Sequence, residues 1–189
     1  MRWRCDGFTL IELISVIVIL GILAAVALPI VFSMSTAAHQ AVVGQTAGAF
    51  STSVSQVKIR YMVSGLTGIQ DNMAGFGNGG VDVNASGFPV DAVNTAGAQS
   101  LNGAATNTIA NSNAGRIQCR RMFEGILAVA PPICGGTGGT GVACTSTHTW
   151  GVIASGAAGR CRYSYLKDTA TTRRFDYNAL TGQLTIVNP

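Results

Sequence analysis

Between Glu12 and Lys58 the chain has no Asp, Glu, Lys or Arg, and only 11 % of its 189 residues are charged. So long a charge-free stretch excludes an ordinary water-facing N-terminal domain, while a hydrophobic content of 48 % excludes a disordered chain. Histidine is almost missing. His39 and His148 are far apart in sequence and neither has a clustered acid or nucleophile, so no catalytic site assembles and none is expected. The cysteines, at 5, 119, 134, 144 and 161, include no C-x-x-C pair, which speaks against a metal site and for structural bridges. The glycine-rich GGTGGTG at 135–141 lacks the Lys-Ser/Thr ending of a P-loop and opens no helix, which excludes that kind of phosphate cradle. No cofactor and no metal is expected.

What is present first is an apolar run. From Leu13 to Phe32 only Ser15, Gly21 and Pro29 interrupt it. At ~1.5 Å per residue a helix of that length reaches about 30 Å, one hydrocarbon thickness. Three readings are open: a transmembrane anchor; a secretory signal with Arg2 and Arg4 as its basic start and AVA at 25–27 as a cleavage site; or a precursor cut ahead of the run. Glu12 discriminates among them. An ionised acid in a spanning helix costs on the order of 2.5–3.5 kcal/mol, which neither an anchor nor a signal has reason to bear. A cut between Gly7 and Phe8 supplies a compensating amino group on Phe8, about one helical turn before Glu12. Glu12 then acts as a register mark for helices packing in an apolar medium.

The stretch GFTLIEL (7–13), followed by this apolar helix, resembles the N-terminus of type IV pilins and of the pseudopilins of type II secretion. The resemblance implies that Gly7 precedes the prepilin peptidase cut, that Phe8 becomes the N-methylated first residue, and that Glu12 is the acid needed for assembly. Pro29 matches the proline at which the family's helix bends or melts. The short leader MRWRCDG is similar to the type IVa class, with one departure: Asp6 stands where the family has Lys or Arg. The implied fold is the family's α+β lollipop, a long N-terminal helix whose C-terminal half packs on a small antiparallel sheet. The expected divisions are a leader at 1–7, a hydrophobic transmembrane and assembly helix at 8–32, its amphipathic continuation at 33–64, and a globular part at 65–189. Implied partners are prepilin peptidase, the pilus assembly machinery, the inner membrane before assembly, and other pilins in a homo- or hetero-polymer outside the cell. The alternatives are a pseudopilin and a monomeric, membrane-anchored periplasmic binding domain.

Removing the leader takes Cys5 with it and leaves four cysteines, beyond a membrane segment and so in an oxidising compartment. They allow three pairings. The favoured one joins Cys134 to Cys144 across the glycine-rich loop and Cys119 to Cys161 between a helix and a strand. Before these, Val43, Ala47, Phe50, Val54, Val57 and Tyr61 form one helical stripe, read as a core face. Residues 64–100 read as a long loop with short strands at most, such as GGVDVNAS. NAGRIQCRRMFEGILAVAPP is a short amphipathic helix stopped by Pro131 and Pro132. The segments 149–155, 160–166, 173–178 and 182–187 form a three- or four-stranded antiparallel meander, with Cys161, Tyr163 and Tyr165 on one face. FPVD, the cysteine-bearing helix ending in PP, and C-x-Y-x-Y also resemble the mannose-sensitive haemagglutinin (MSHA) pilin branch.

Three further sets of residues are candidates for binding or modification. Arg116, Arg120, Arg121, Arg160, Arg162, Arg173 and Arg174 are a candidate surface for DNA or an acidic surface polymer, against the plainer reading of a solvated face or subunit contacts. Asn84, in DVNAS, fits a glycosylation sequon that chance explains as well. Asp71, Asp82 and Asp91 match no calcium-loop spacing.

Overall fold

The computed structural model describes residues 8–73, 75–76, 80–92, 109, 113–135, 142–154 and 159–188. The leader with Gly7, and most of the glycine-rich loop before Cys144, lie outside the described residues. Two units are present, Met1–His39 and Gln40–Pro189, and one helix, α1 (Leu10–Val63), contributes to both.

In the first unit α1 carries the apolar span Leu10–Leu28, interrupted by Glu12 and Ser15, and the helix runs on through Pro29. In the second, its stripe becomes core: Val43, Ala47, Phe50, Val54, Val57 and Tyr61 are all buried. A 3.6-residue period explains why these six share a face while Gln45, Thr52 and Ser55 stay in solvent. The helix stops by a Schellman motif. Leu66 N donates to Tyr61 O at 3.2 Å and Gly65 N to Met62 O at 3.1 Å, and the left-handed φ of 63° at Gly65 suits a residue without Cβ.

After α1 come β1 (Gln70–Met73), β2 (Val81–Val83) and β3 (Pro89–Ala92), an antiparallel three-stranded sheet. These are the short strands expected at most in 64–100, with β2 inside GGVDVNAS, but their pairing into one sheet was not expected. The strands escape a periodicity reading because they are only three or four residues long, and because β2 and β3 bury Asp82 and Asp91 beside their valines. Helix α2 (Asn113–Ile126) follows, then β4 (Ile133–Cys134), β5 (Trp150–Ala154), β6 (Arg160–Tyr165), β7 (Arg174–Asn178) and β8 (Gln183–Val187) in one five-stranded sheet, in that order. The last four strands form the expected antiparallel meander, and β6 alternates as expected, with Cys161, Tyr163 and Tyr165 buried. The fifth strand differs: β4 pairs parallel to β5. Backbone geometry accounts for it, since the Pro132 carbonyl accepts from both Thr149 N (2.8 Å) and Trp150 N (3.1 Å) and so lays the chain after the prolines along β5.

The core of this mixed α+β unit is aromatic. Phe50 of α1 sits among Tyr163 (5.2 Å between ring centroids), Tyr177 (5.4 Å), Phe175 (5.5 Å) and Phe123 of α2 (6.0 Å). The two fully buried phenols find acceptors, Tyr163 on Cys119 O at 2.9 Å and Tyr177 on Pro89 O at 3.0 Å. The second bond ties the two sheets together, as does Asn84 Nδ2 donating to Ala179 O at 2.7 Å. Disulfides join Cys119 of α2 to Cys161 of β6, and Cys134 to Cys144.

Phe50→Ala removes the ring on which four others converge and is expected to cost roughly 3–5 kcal/mol. Denaturant unfolding of the full chain in detergent micelles, followed by near-ultraviolet circular dichroism, measures it. By loop-closure entropy the bridge closing 42 residues contributes about 4 kcal/mol and the one closing 10 about 3 kcal/mol. Replacing Cys119 and Cys161 together by Ala is therefore expected to lower the unfolding midpoint more than replacing Cys134 and Cys144.

Candidate assembly site

The residues singled out at the N-terminus begin with Phe8, which is 88 % exposed. Thr9 and Glu12 build a reciprocal cap on the first turn of α1. Thr9 N donates to Glu12 Oε2 at 2.9 Å, Thr9 Oγ1 donates to the same oxygen at 2.8 Å, and Glu12 N donates to Thr9 Oγ1 at 3.4 Å. A T-x-x-E box before an apolar run is a helix-start signature that the sequence reading passed over, having sought a partner for Glu12 only upstream. The cap has two effects. It satisfies donors that an apolar medium would leave bare, and it places the acid at the positive end of the helix dipole. Glu12 is thus held at the first turn by its own neighbour, one turn from the residue that cleavage would turn into a chain terminus. The span Leu10–Leu28, with mean hydropathy 2.8, is long and apolar enough to cross a membrane, and none of it is buried within the chain.

The arginines do not gather into one face. Arg116, Arg120 and Arg121 lie on α2; Arg160, Arg162 and Arg174 alternate with the core residues of β6 and β7; Arg173 is buried. Most are engaged within the domain. Arg162 forks onto Asp176 at 3.0 and 3.2 Å, with Arg174 at 3.7 Å from the same carboxylate. Arg120 pairs with Glu124 at 2.8 Å and Arg121 with Asp91 at 3.9 Å. Arg173 reaches Asp168 at 2.7 Å and the Asn188 carbonyl at 3.1 Å, and this bond holds the Asp168 carboxyl below its ordinary range. Arg116 and Arg160 are exposed.

The remaining candidates lose their sharper readings. Asn84 is 7 % exposed and its amide is bonded to Ala179 O, so it does not present an acceptor nitrogen for a glycan. His148 accepts through Nδ1 from Thr145 N at 3.2 Å, closing a local turn. Asp82 and Asp91 do meet, as cross-strand partners, but the group opposing them is the Arg121 guanidinium.

Residues 4–28 match the family model of the prokaryotic N-terminal methylation motif. The match takes in the apolar span Leu10–Leu28 and fits a type IV pilin-like precursor, of the kind that serves a structural rather than an enzymatic purpose. Such precursors are handled by prepilin peptidase, anchored in a membrane and polymerised with other pilins. No curated protein and no solved structure matches the chain.

Thr9→Val keeps the shape of the side chain and deletes its half of the cap. It is expected to weaken the first turn by about 1 kcal/mol, read as faster amide exchange at Leu10–Leu13 in micelles, with Thr9→Ser close to the parent.

Proposed function

We propose that this chain is the structural subunit of a type IVa-like pilus, a fibre serving adhesion, surface attachment or motility. Prepilin peptidase cuts between Gly7 and Phe8, the new Phe8 amino group is methylated, and α1 then packs with its neighbours' helices. Glu12 leaves its cap on Thr9 to pair with the Phe8 amino group of an adjacent subunit, so that register is set by one charge pair in an apolar bundle. Pro29 is the place where α1 yields as the subunits pack. The domain that carries the two disulfides forms the fibre surface.

The observation that carries this reading is the charge pattern of α1. Glu12 is its only charged residue before Lys58, and this holds well past the apolar span. Between Met34 and Gln56 the exposed side of the helix consists of Met34 and of Ala, Gly, Ser, Thr, Gln and Val residues, with His39 half-buried. A helix face meant for water is normally studded with charge. An uncharged, small-residue face suits close approach of other helices, as the covered interior of a fibre demands. The pseudopilin reading shares this pattern; the anchored monomer does not account for it.

Glu12→Ala is expected to leave the chain in the inner membrane while fibres disappear; fibres unchanged in number would overturn the reading of Glu12. Mass spectrometry of the filaments sheared from producing cells is expected to find an abundant peptide that starts at methylated Phe8. The same processed peptide confined to the inner membrane would instead identify a pseudopilin, and an uncut Met1 terminus would remove the basis for either.

A further inference from the structure

Asp82 and Asp91 are each wholly buried and stand directly opposite one another on β2 and β3. Each uses one oxygen: Asp82 Oδ1 accepts from Asn72 N at 2.8 Å and Asp91 Oδ1 from its neighbour Ala92 N at 2.8 Å. The other oxygen of each, Oδ2, has no hydrogen-bond partner among the described residues. Above them lies α2, close enough that a Cβ added at Gly125 would come within 2.3 Å of Ala92 Cβ. From α2, Arg121 approaches Asp91 Oδ2 to 3.9 Å, too long for a hydrogen bond. Arg120 adds a weaker positive field but is already bound to Glu124. From β1, Asp71 adds a further negative charge near Asp82. Two buried carboxylates therefore face one guanidinium, with a third carboxylate behind them. Ionising both leaves a buried charge unbalanced, a state that proteins avoid by binding a proton.

We propose that Asp82 and Asp91 form a proton-operated latch between the three-stranded sheet and α2. With one proton on the pair, one carboxylate faces Arg121, the other is neutral, and the layer is closed. Losing that proton to solvent puts two like charges side by side beneath α2 and loosens β2, β3 and the helix that covers them. Burial, the largest influence, raises both carboxyls, Asp91 to about 6 from an ordinary 3.8, against the opposing pull of the Ala92 amide and Arg121. The sign follows from linkage. The native state holds the proton more tightly than the opened state does, so the latch is strongest below about pH 4 and its contribution fades as pH rises through about 6. This is the reverse of an ordinary salt-bridged Asp. The domain is thus tighter in mildly acidic surroundings than at neutral pH.

Amide hydrogen exchange on the full chain in detergent micelles tests this, once corrected for the intrinsic pH dependence of exchange. Protection of Val81–Val83, Val90–Ala92 and the α2 amides is expected to fall about tenfold between pH 5 and 7.5, the ratio implied by carboxyl values of about 6 closed and 3.8 open. In Asp91→Asn the fall in protection of the same amides is expected to shrink well below that of the unsubstituted chain, because the amide stays neutral and only Asp82 is left to lose a proton. Equal protection at both pH values in the unsubstituted chain, or an unaltered pH profile in Asp91→Asn, would overturn the proposal. If Asp91→Asn does not fold, carboxyl carbon shifts of the unsubstituted chain decide. One of the pair titrating near pH 6 supports the latch, and both titrating below about 4.5 refute it.

Discussion

One helix in this protein has to be stable in two solvents, and much else in the chain adjusts to that demand. In an apolar medium a helix end is the costliest part, because its first amide groups have no partners within the helix and no water to replace them. Thr9 and Glu12 meet that cost locally, each bonding the other's backbone amide. Placing a carboxylate there would be expensive if the group stood bare. Held by Thr9 at the positive end of the helix dipole, it is instead part of what lets the helix begin. The cap also keeps the acid at the first turn.

Further along, the same helix changes what it offers. From Val43 to Tyr61 it presents an unbroken apolar stripe, and Phe50 supplies a ring on which the aromatic side chains of α2, β6 and β7 converge. The domain is thereby built around the helix. Its second layer buries polar groups beside its valines, and two hydrogen bonds hold it, Asn84 to Ala179 and Tyr177 to Pro89, while Arg121 stands off from Asp91 at 3.9 Å. Such contacts fix how the small sheet sits against the large one, and each leaves an unsatisfied buried group if either partner is lost. The buried aspartates take this furthest, since their charge state decides whether the layer is comfortable closed.

Legibility followed the strength of the periodic signal. The stripe on α1 was readable residue by residue because a 3.6 period sustained over five turns has few competing explanations. The strands β5 to β8 were readable because β-branched and aromatic residues alternate there between turn residues. By contrast, β1 to β3 and β4 are too short to show a period, and they owe their pairing to partners distant in sequence. The arginines illustrate the other limit. Their spacing suggested a basic face, yet Asp91, Asp168 and Asp176 are brought to them by strand register and loop geometry, which no linear pattern displays.

By itself the sequence determined the N-terminal half of the story: an apolar helix opened by a single acid, the methylation motif that precedes and includes it, and the face of α1 that becomes core. These are local matters, settled by composition and by periods of three to four residues. The tertiary structure decided among the three cysteine pairings in favour of the one preferred from the sequence, and it alone decided that Asn84 faces inward and that Asp82 and Asp91 share one buried space beneath Arg121. Those depend on contacts between residues far apart in the chain, and burial, which turns an ordinary carboxylate into one that keeps its proton, exists only once the layers have closed.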